Sequence, residues 1–235
     1  MKLNGEVVTK KWLAKHLEHV IWDNDEKILN EQVTKGIEYG FRTIYSPSVY
    51  FHEYVSDMLK GTGIRHATPV NFKDGLAPGL AIAKHCEIIE KMGVDTIDLW
   101  PDMAAYNMRN WDALTQFVRD VRSGFSGEIK VLLMANDSIE DMYRQVECYK
   151  EGGADFVKAY DSNKQGCPMH RVRELRKKCD EVGIRLKTSG NGKYWTNAIV
   201  MGNIAAGAEA ISASNTFQIV DDLPIFEELY AKYEF

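Results

Sequence analysis

Gly153-Ala154-Asp155-Phe156-Val157-Lys158 reads as a short buried strand that ends on a lysine. The glycine pair before it closes a helix, and the apolar run after it has the length of a parallel strand covered on both faces. One strand-plus-helix further on, Ile184-Arg185-Leu186-Lys187 repeats the pattern, with Thr188-Ser189-Gly190-Asn191-Gly192 behind it. Two units earlier, Thr96-Ile97-Asp98 ends a strand on a carboxylate.

Working outward, strands and helices alternate along the chain. Strands are expected at 18–22, 41–45, 66–72, 95–100, 129–134, 153–158, 184–188 and 210–214. Helices are expected from the Asp25 cap to Tyr39, then at 48–59, 76–92, 110–122, 137–152, 169–182, 195–206 and 219–233. Residues 1–17 read as an N-terminal helix. Pro69 is awkward inside the third strand, because it cannot donate to a ladder. Eight strand–helix units at a spacing of roughly 25–30 residues describe a (β/α)8 TIM barrel, an α/β fold. An open doubly wound sheet is the competing architecture, but no GxGxxG follows the first strand. No linker or low-complexity tract interrupts the chain, so residues 1–235 are expected to form a single domain.

The formal net charge of -5 gives no reason to expect a nucleic-acid or membrane partner. No apolar run approaches the roughly 18 residues of a membrane span, and no apolar signal core follows the N-terminus, so a cytoplasmic protein is expected. Cys86, Cys148, Cys167 and Cys179 show no CxxC spacing and are expected as reduced packing thiols. The histidines His19, His52, His66, His85 and His170 form no ligand pattern. No metal site and no cofactor are expected. Trp100, Trp111 and Trp195 read as packing residues, and the run Arg171, Arg173, Arg176, Lys177, Lys178 as a solvated helix face.

In a parallel barrel, functional residues gather at the C-terminal strand ends. Side chains alternate between the barrel interior and the helix layer. Ile97, Val157 and Leu186 are apolar and most simply face the helices, which turns Asp98, Lys158 and Lys187 inward. The two lysines lie on neighbouring strands about 4.8 Å apart. Burial and a second cation both lower a lysine pKa, and a free amine attacks carbonyls. Asp98, two strands from Lys158, is expected to relay protons through water. The bland alternative is a set of solvated rim lysines and a hydrogen-bonding aspartate. The loops after strands seven and eight carry Ser189, Gly190, Gly192, Lys193, Ser212 and Ser214, an arrangement suited to an anion, though glycine and serine are also ordinary turn residues.

At these residues the sequence resembles the deoxyribose-phosphate aldolase family of class I aldolases. Leu17-Glu18-His19, Glu38-Tyr39-Gly40-Phe41, Tyr45-Ser46-Pro47-Ser48, Val70-Asn71-Phe72 with Gly75, Gly93 to Asp98, Gly153 to Lys158 and Leu186-Lys187 carry the resemblance. It implies a TIM-barrel lyase that cleaves and forms C–C bonds through a lysine imine. Lys158 would be the Schiff-base lysine, Lys187 the second lysine and Asp98 the proton relay. The substrate implied is deoxyribose 5-phosphate or a related sugar phosphate, held by the loop residues above and by Lys164. Homo-oligomers are expected, as is common for small barrels.

The departures fall on the phosphate side. The turn after Lys158 reads Ala159-Tyr160-Asp161-Ser162-Asn163-Lys164, and Gly190-Asn191-Gly192-Lys193 follows the second lysine. Asp161 there is expected to oppose a phosphate dianion. The family's C-terminal proton-donating tyrosine has no clear equivalent, Tyr233 being the tyrosine near the end. Two other readings stay open: a thiolase-like acyl transfer on a phosphorylated diketone, and a non-catalytic metabolite-binding barrel.

Overall fold

The computed structural model describes residues 1–46, 48–163, 166–190 and 194–233, with Tyr233 by its backbone alone. It is a closed barrel of eight parallel strands. A hairpin of β1 (Lys2–Leu3) and β2 (Glu6–Val7) comes first, followed by the short helix α1 (Lys10–Ala14). The barrel strands are β3 (Leu17–Val20), β4 (Thr43–Tyr45), β5 (Arg65–Val70), β6 (Thr96–Leu99), β7 (Glu128–Met134), β8 (Phe156–Tyr160), β9 (Arg185–Ser189) and β10 (Ala210–Ala213). They pair in chain order, and β10 closes onto β3. The surrounding helices are α2 (Glu26–Tyr39), α3 (His52–Leu59), α4 (Gly79–Lys91), α5 (Met103–Asn107), α6 (Trp111–Ser123), α7 (Ile139–Glu151), α8 (Met169–Val182), α9 (Asn197–Ala205), α10 (Thr216–Asp221) and α11 (Leu223–Tyr233). No helix among the described residues is long and apolar enough to cross a membrane.

Local chemistry sets the boundaries. The Asp25 carboxylate accepts from the Lys27 and Ile28 N–H groups and starts α2. Ser138 and Thr196 cap α7 and α9 in the same way. Gly40 and Gly183 stop α2 and α8 in the left-handed conformation that a side chain would disfavour. Ile97, Ile129, Val131, Val157 and Leu186 join the apolar layer between barrel and helices.

Several expectations need correction. The N-terminal helix over 1–17 is instead a hairpin and a single short helix. Asn4 and Gly5 both have positive φ (49° and 86°), so the chain turns between Leu3 and Glu6, which pair. Asn-Gly favours this tight hairpin turn. Pro69 sits inside β5 without penalty. The backbone groups of Ala67 face β4, where its carbonyl accepts from Ser46 N–H, and Pro69 has the same parity. The β4 ladder ends at the Tyr45–Ala67 pair, so no donor is needed from Pro69. The last helix is split in two around Asp222, and α5 was not expected. The basic face of α8 is only partly solvated, since Lys178 is buried against Glu147 and Glu181, and Arg176 reaches Glu209.

Three of the histidines, His19, His52 and His66, are buried and hydrogen-bonded within the fold. His66 bridges Ser46 and Ser56 (2.7 Å each), and Ser46 also bonds His52 (2.9 Å). His19 lies between Thr216 (2.7 Å) and Gln32 (2.9 Å). Burial lowers all three pKa values, to about 4 for His19 and His52 and about 3 for His66. The folded protein therefore takes up these protons later than the unfolded chain on acidification. Stability from keeping the rings neutral is complete above pH 6.5 and is lost as pH falls toward 4. Urea unfolding between pH 7 and 4 should show a steady loss, approaching roughly 3 kcal/mol per histidine at the acid end. A flat profile over that range would show that these rings charge without cost.

Candidate active site

The barrel interior carries a chain of charges. Lys158 on β8 and Lys187 on β9 are register partners, and both point inward with Asp98 of β6. Lys158 Nζ lies 2.7 Å from Asp98 Oδ2. Lys187 Nζ donates to both Asp98 oxygens at 2.9 and 2.8 Å. The expected trio is thus assembled, but by direct contact rather than through an intervening water.

Deeper in the barrel lie residues whose part in this cluster the sequence did not disclose. Glu18 of β3 meets Lys187 at 2.5 Å and forms a buried ion pair with Lys130 of β7. Lys130 also lies 3.2 Å from Glu128, and Arg42 bridges Glu18 and Glu128 at 3.0 and 3.2 Å. Arg65 and Arg185, more exposed, reach Glu128 as well. Tyr45 of β4 completes the cluster. Its hydroxyl lies 2.8 Å from Asp98, 2.9 Å from Glu18 and accepts from Lys187 at 2.6 Å. One O–H can donate to only one carboxylate at a time, so this phenol joins two acceptors that share its proton. The 129–134 strand thus carries a charge turned into the barrel. Lys130 is a fully buried charge within it, and an inward charge in an apolar strand was the available signal.

Burial and charge set the ionisation. Burial raises the Asp98 carboxyl, but the Lys158 and Lys187 ammoniums outweigh it and hold its pKa down at about 2. Glu18 is likewise pushed up by burial, yet Lys130, Lys187 and Arg42 bring it well below the carboxylate range. Burial lowers the Lys158 pKa; Asp98 opposes that shift and Lys187 reinforces it. Burial also lowers Lys130, with Glu18 opposing. Tyr45 is driven far above its ordinary value by burial and then by the two carboxylates.

Above the cluster is a cleft of about 610 Å³. Lys158, 17% exposed, opens into it, while Lys187 and Lys130 are fully buried beneath. One arc of the cleft is formed by Ser189, Gly190, Ser212, Ala213 and Ser214. Four of the expected loop residues thus line it: Ser189, Gly190, Ser212 and Ser214. Gly192, Lys193 and Lys164 lie outside the described residues, as does the Tyr233 side chain. Asp161 does not line the cleft; it is buried and its carboxylate accepts from Asn163 N–H. Trp100, expected as packing, is part of the cleft wall.

No protein-family model matches the chain. Curated relatives do. A deoxyribose-phosphate aldolase from Dictyoglomus turgidum is 24% identical over 216 residues, covering 90% of this chain and 97% of its own. One from Caldanaerobacter subterraneus is 28% identical over 221 residues, covering 89% and 93%. The chain is a divergent relative of the deoxyribose-phosphate aldolases. Like them it is an enzyme, a lyase. Among solved structures, the tetrameric deoxyribose phosphate aldolase from Aeropyrum pernix superposes with a TM-score of 0.79 at 20% identity, covering 93% of each chain, which attests the shared barrel.

The ion chain makes a direct prediction. Removing Lys130 leaves the carboxylate of Glu18 buried with fewer partners, and breaking such a pair costs about 3–5 kcal/mol. Lys130→Ala should lower the unfolding free energy by roughly that amount at pH 7, measured by urea titration. A loss below about 1 kcal/mol would mean the network relaxes around the gap.

Proposed function

We propose that the protein is a class I aldolase in which Lys158 is the imine-forming amine. The observation that carries this reading is the position of Lys158 among the interior lysines of the cluster. Lys158 has one carboxylate, Asp98, which it shares with Lys187, whereas Lys130 and Lys187 each meet two. Of these three lysines it is the one that opens into the cleft.

The neutral Lys158 amine adds to a substrate carbonyl. Asp98, held as a carboxylate, takes the proton leaving nitrogen and passes it to the carbinolamine hydroxyl, which departs as water. That leaves a neutral imine, which takes one further proton from solvent and becomes an iminium, an electron sink. When the β-hydroxyl of the substrate gives up its proton to Asp98, the adjacent C–C bond breaks. Its electron pair moves into the iminium, leaving an enamine and a free aldehyde. The enamine takes a proton at carbon, and water hydrolyses the iminium to release the second carbonyl compound and restore Lys158. Lys187 keeps Asp98 ionised and Lys158 neutral. Tyr45 sits between Asp98 and Glu18 and steadies the proton that Asp98 carries.

Acetaldehyde with borohydride should leave an ethyl group on Lys158, located by peptide mass mapping. Lys158→Ala should lose turnover while keeping its fold, and Asp98→Asn should lower kcat by about 10²–10⁴-fold. An adduct on a different lysine, or none with a proven substrate, would sink the assignment.

The relatives' name makes deoxyribose 5-phosphate the reference substrate. Its turnover should be poor here. The turn after β8 and the loop after β9 depart from the family pattern, and the exposed Lys73 is the one cation besides Lys158 among the described cleft residues. A kcat/KM below about 10⁴ M⁻¹s⁻¹, at the low end for enzymes, is expected in a retro-aldol assay. A value above it would show that the loops retain a phosphate site.

A further inference from the structure

The cleft has two unlike sides. Ser189, Gly190, Ser212 and Ser214, from the ends of β9 and β10, make a small, polar arc. The opposite arc is aromatic. Trp22 follows β3, Phe72 follows β5 and Trp100 follows β6, and all three line the cleft. Trp22 stacks on Phe72 with ring centroids 5.6 Å apart and 30° between planes. Phe72 meets Trp100 edge-on at 5.5 Å and 87°. The three rings form one continuous surface across four adjacent strand ends.

The loops that carry Phe72 and Trp100 are tied together through their backbones. Trp100 N–H donates to Val70 C=O at 3.0 Å, and the Asn71 amide donates to Trp100 C=O at 3.0 Å. Met103 N–H donates to Gly75 C=O at 3.3 Å. At Gly75 a side chain would strike the Pro101 carbonyl, 2.2 Å from where its Cβ would sit, so the Phe72 and Trp100 loops lie against each other. Yet Trp22 is 54% and Phe72 47% exposed. Large apolar surface kept in water beside a cleft is a mark of a binding site.

We infer that the aldehyde released or accepted by Lys158 chemistry carries an apolar, ring-sized substituent that packs on Trp22, Phe72 and Trp100. This rests on the aldolase reading above. Stacking and edge contacts favour such a group. A phosphate dianion against the same arc would lose its water with little in return, because Lys73, the cation on that side, is itself exposed. In the aldol step the enamine carbon on Lys158 bonds to the aldehyde carbon, the carbonyl oxygen takes a proton from Asp98 and becomes the β-hydroxyl, and water releases the product.

The experiment uses the full-length enzyme with acetaldehyde as donor and two acceptors, phenylacetaldehyde and glyceraldehyde 3-phosphate. Phenylacetaldehyde should give the higher kcat/KM by about tenfold or more. In Trp22→Ala and Trp100→Phe that ratio should fall severalfold, mainly through KM for the aromatic acceptor. A higher kcat/KM with glyceraldehyde 3-phosphate would overturn the inference. So would an equal loss with both acceptors, which is the pattern of a merely structural role. Borohydride trapping of the wild-type enzyme by acetaldehyde alone reports on the lysine. Its failure sinks the aldolase reading, whereas success without the acceptor preference sinks only the aromatic surface.

Discussion

Everything functional in this barrel depends on keeping charges dry without leaving them unpaired. A buried carboxylate or ammonium is tolerated only when opposite charge and hydrogen bonds replace its hydration. Asp98 meets that condition with Lys158, Lys187 and Tyr45 around it, and Glu18 with Lys130, Lys187, Arg42 and Tyr45. The chain of contacts runs from Arg65 and Arg185, which reach solvent, through Glu128 and Lys130 to the cleft floor. Its last member, Lys158, has one carboxylate, which it shares with Lys187.

The same constraint explains why the interior is polar in a fold whose interior is commonly filled by branched apolar side chains. The apolar packing sits in the layer between strands and helices, where Ile97, Val131, Val157 and Leu186 meet the inner faces of the helices. Rigidity from that layer fixes strand register, and register brings Lys158 beside Lys187. A one-residue slip in β8 would turn Lys158 into the helix layer and point Val157 at Asp98. Stability and chemistry are therefore carried by opposite faces of the same strands.

The cleft has three unlike parts. Charge lies at the floor, small hydroxyl and glycine residues on one wall, and three linked rings on the other. On the aldolase reading proposed above, the floor is where a carbonyl would gain and lose protons, and the walls are where its substituents would sit.

Much of this was legible in the sequence. The eight-unit alternation follows from period and punctuation, which are local. The inward direction of Asp98, Lys158 and Lys187 follows from strand parity, because Ile97, Val157 and Leu186 claim the helix side. Other features were local too but were outvoted. Asn4-Gly5 is a hairpin signal inside a stretch that otherwise resembles a helix, and Lys130 is a lone charge in an apolar run. Tertiary structure alone decided which charges meet. Glu18 and Lys130 are 112 residues apart, and Tyr45 touches Asp98 and Lys187 only because the barrel closes. The aromatic wall is of the same kind: Trp22, Phe72 and Trp100 are unremarkable one by one and become a surface only when strand ends are set side by side. Parity is written in each strand, but the distance across a barrel is set by closure and shear, which no single segment encodes.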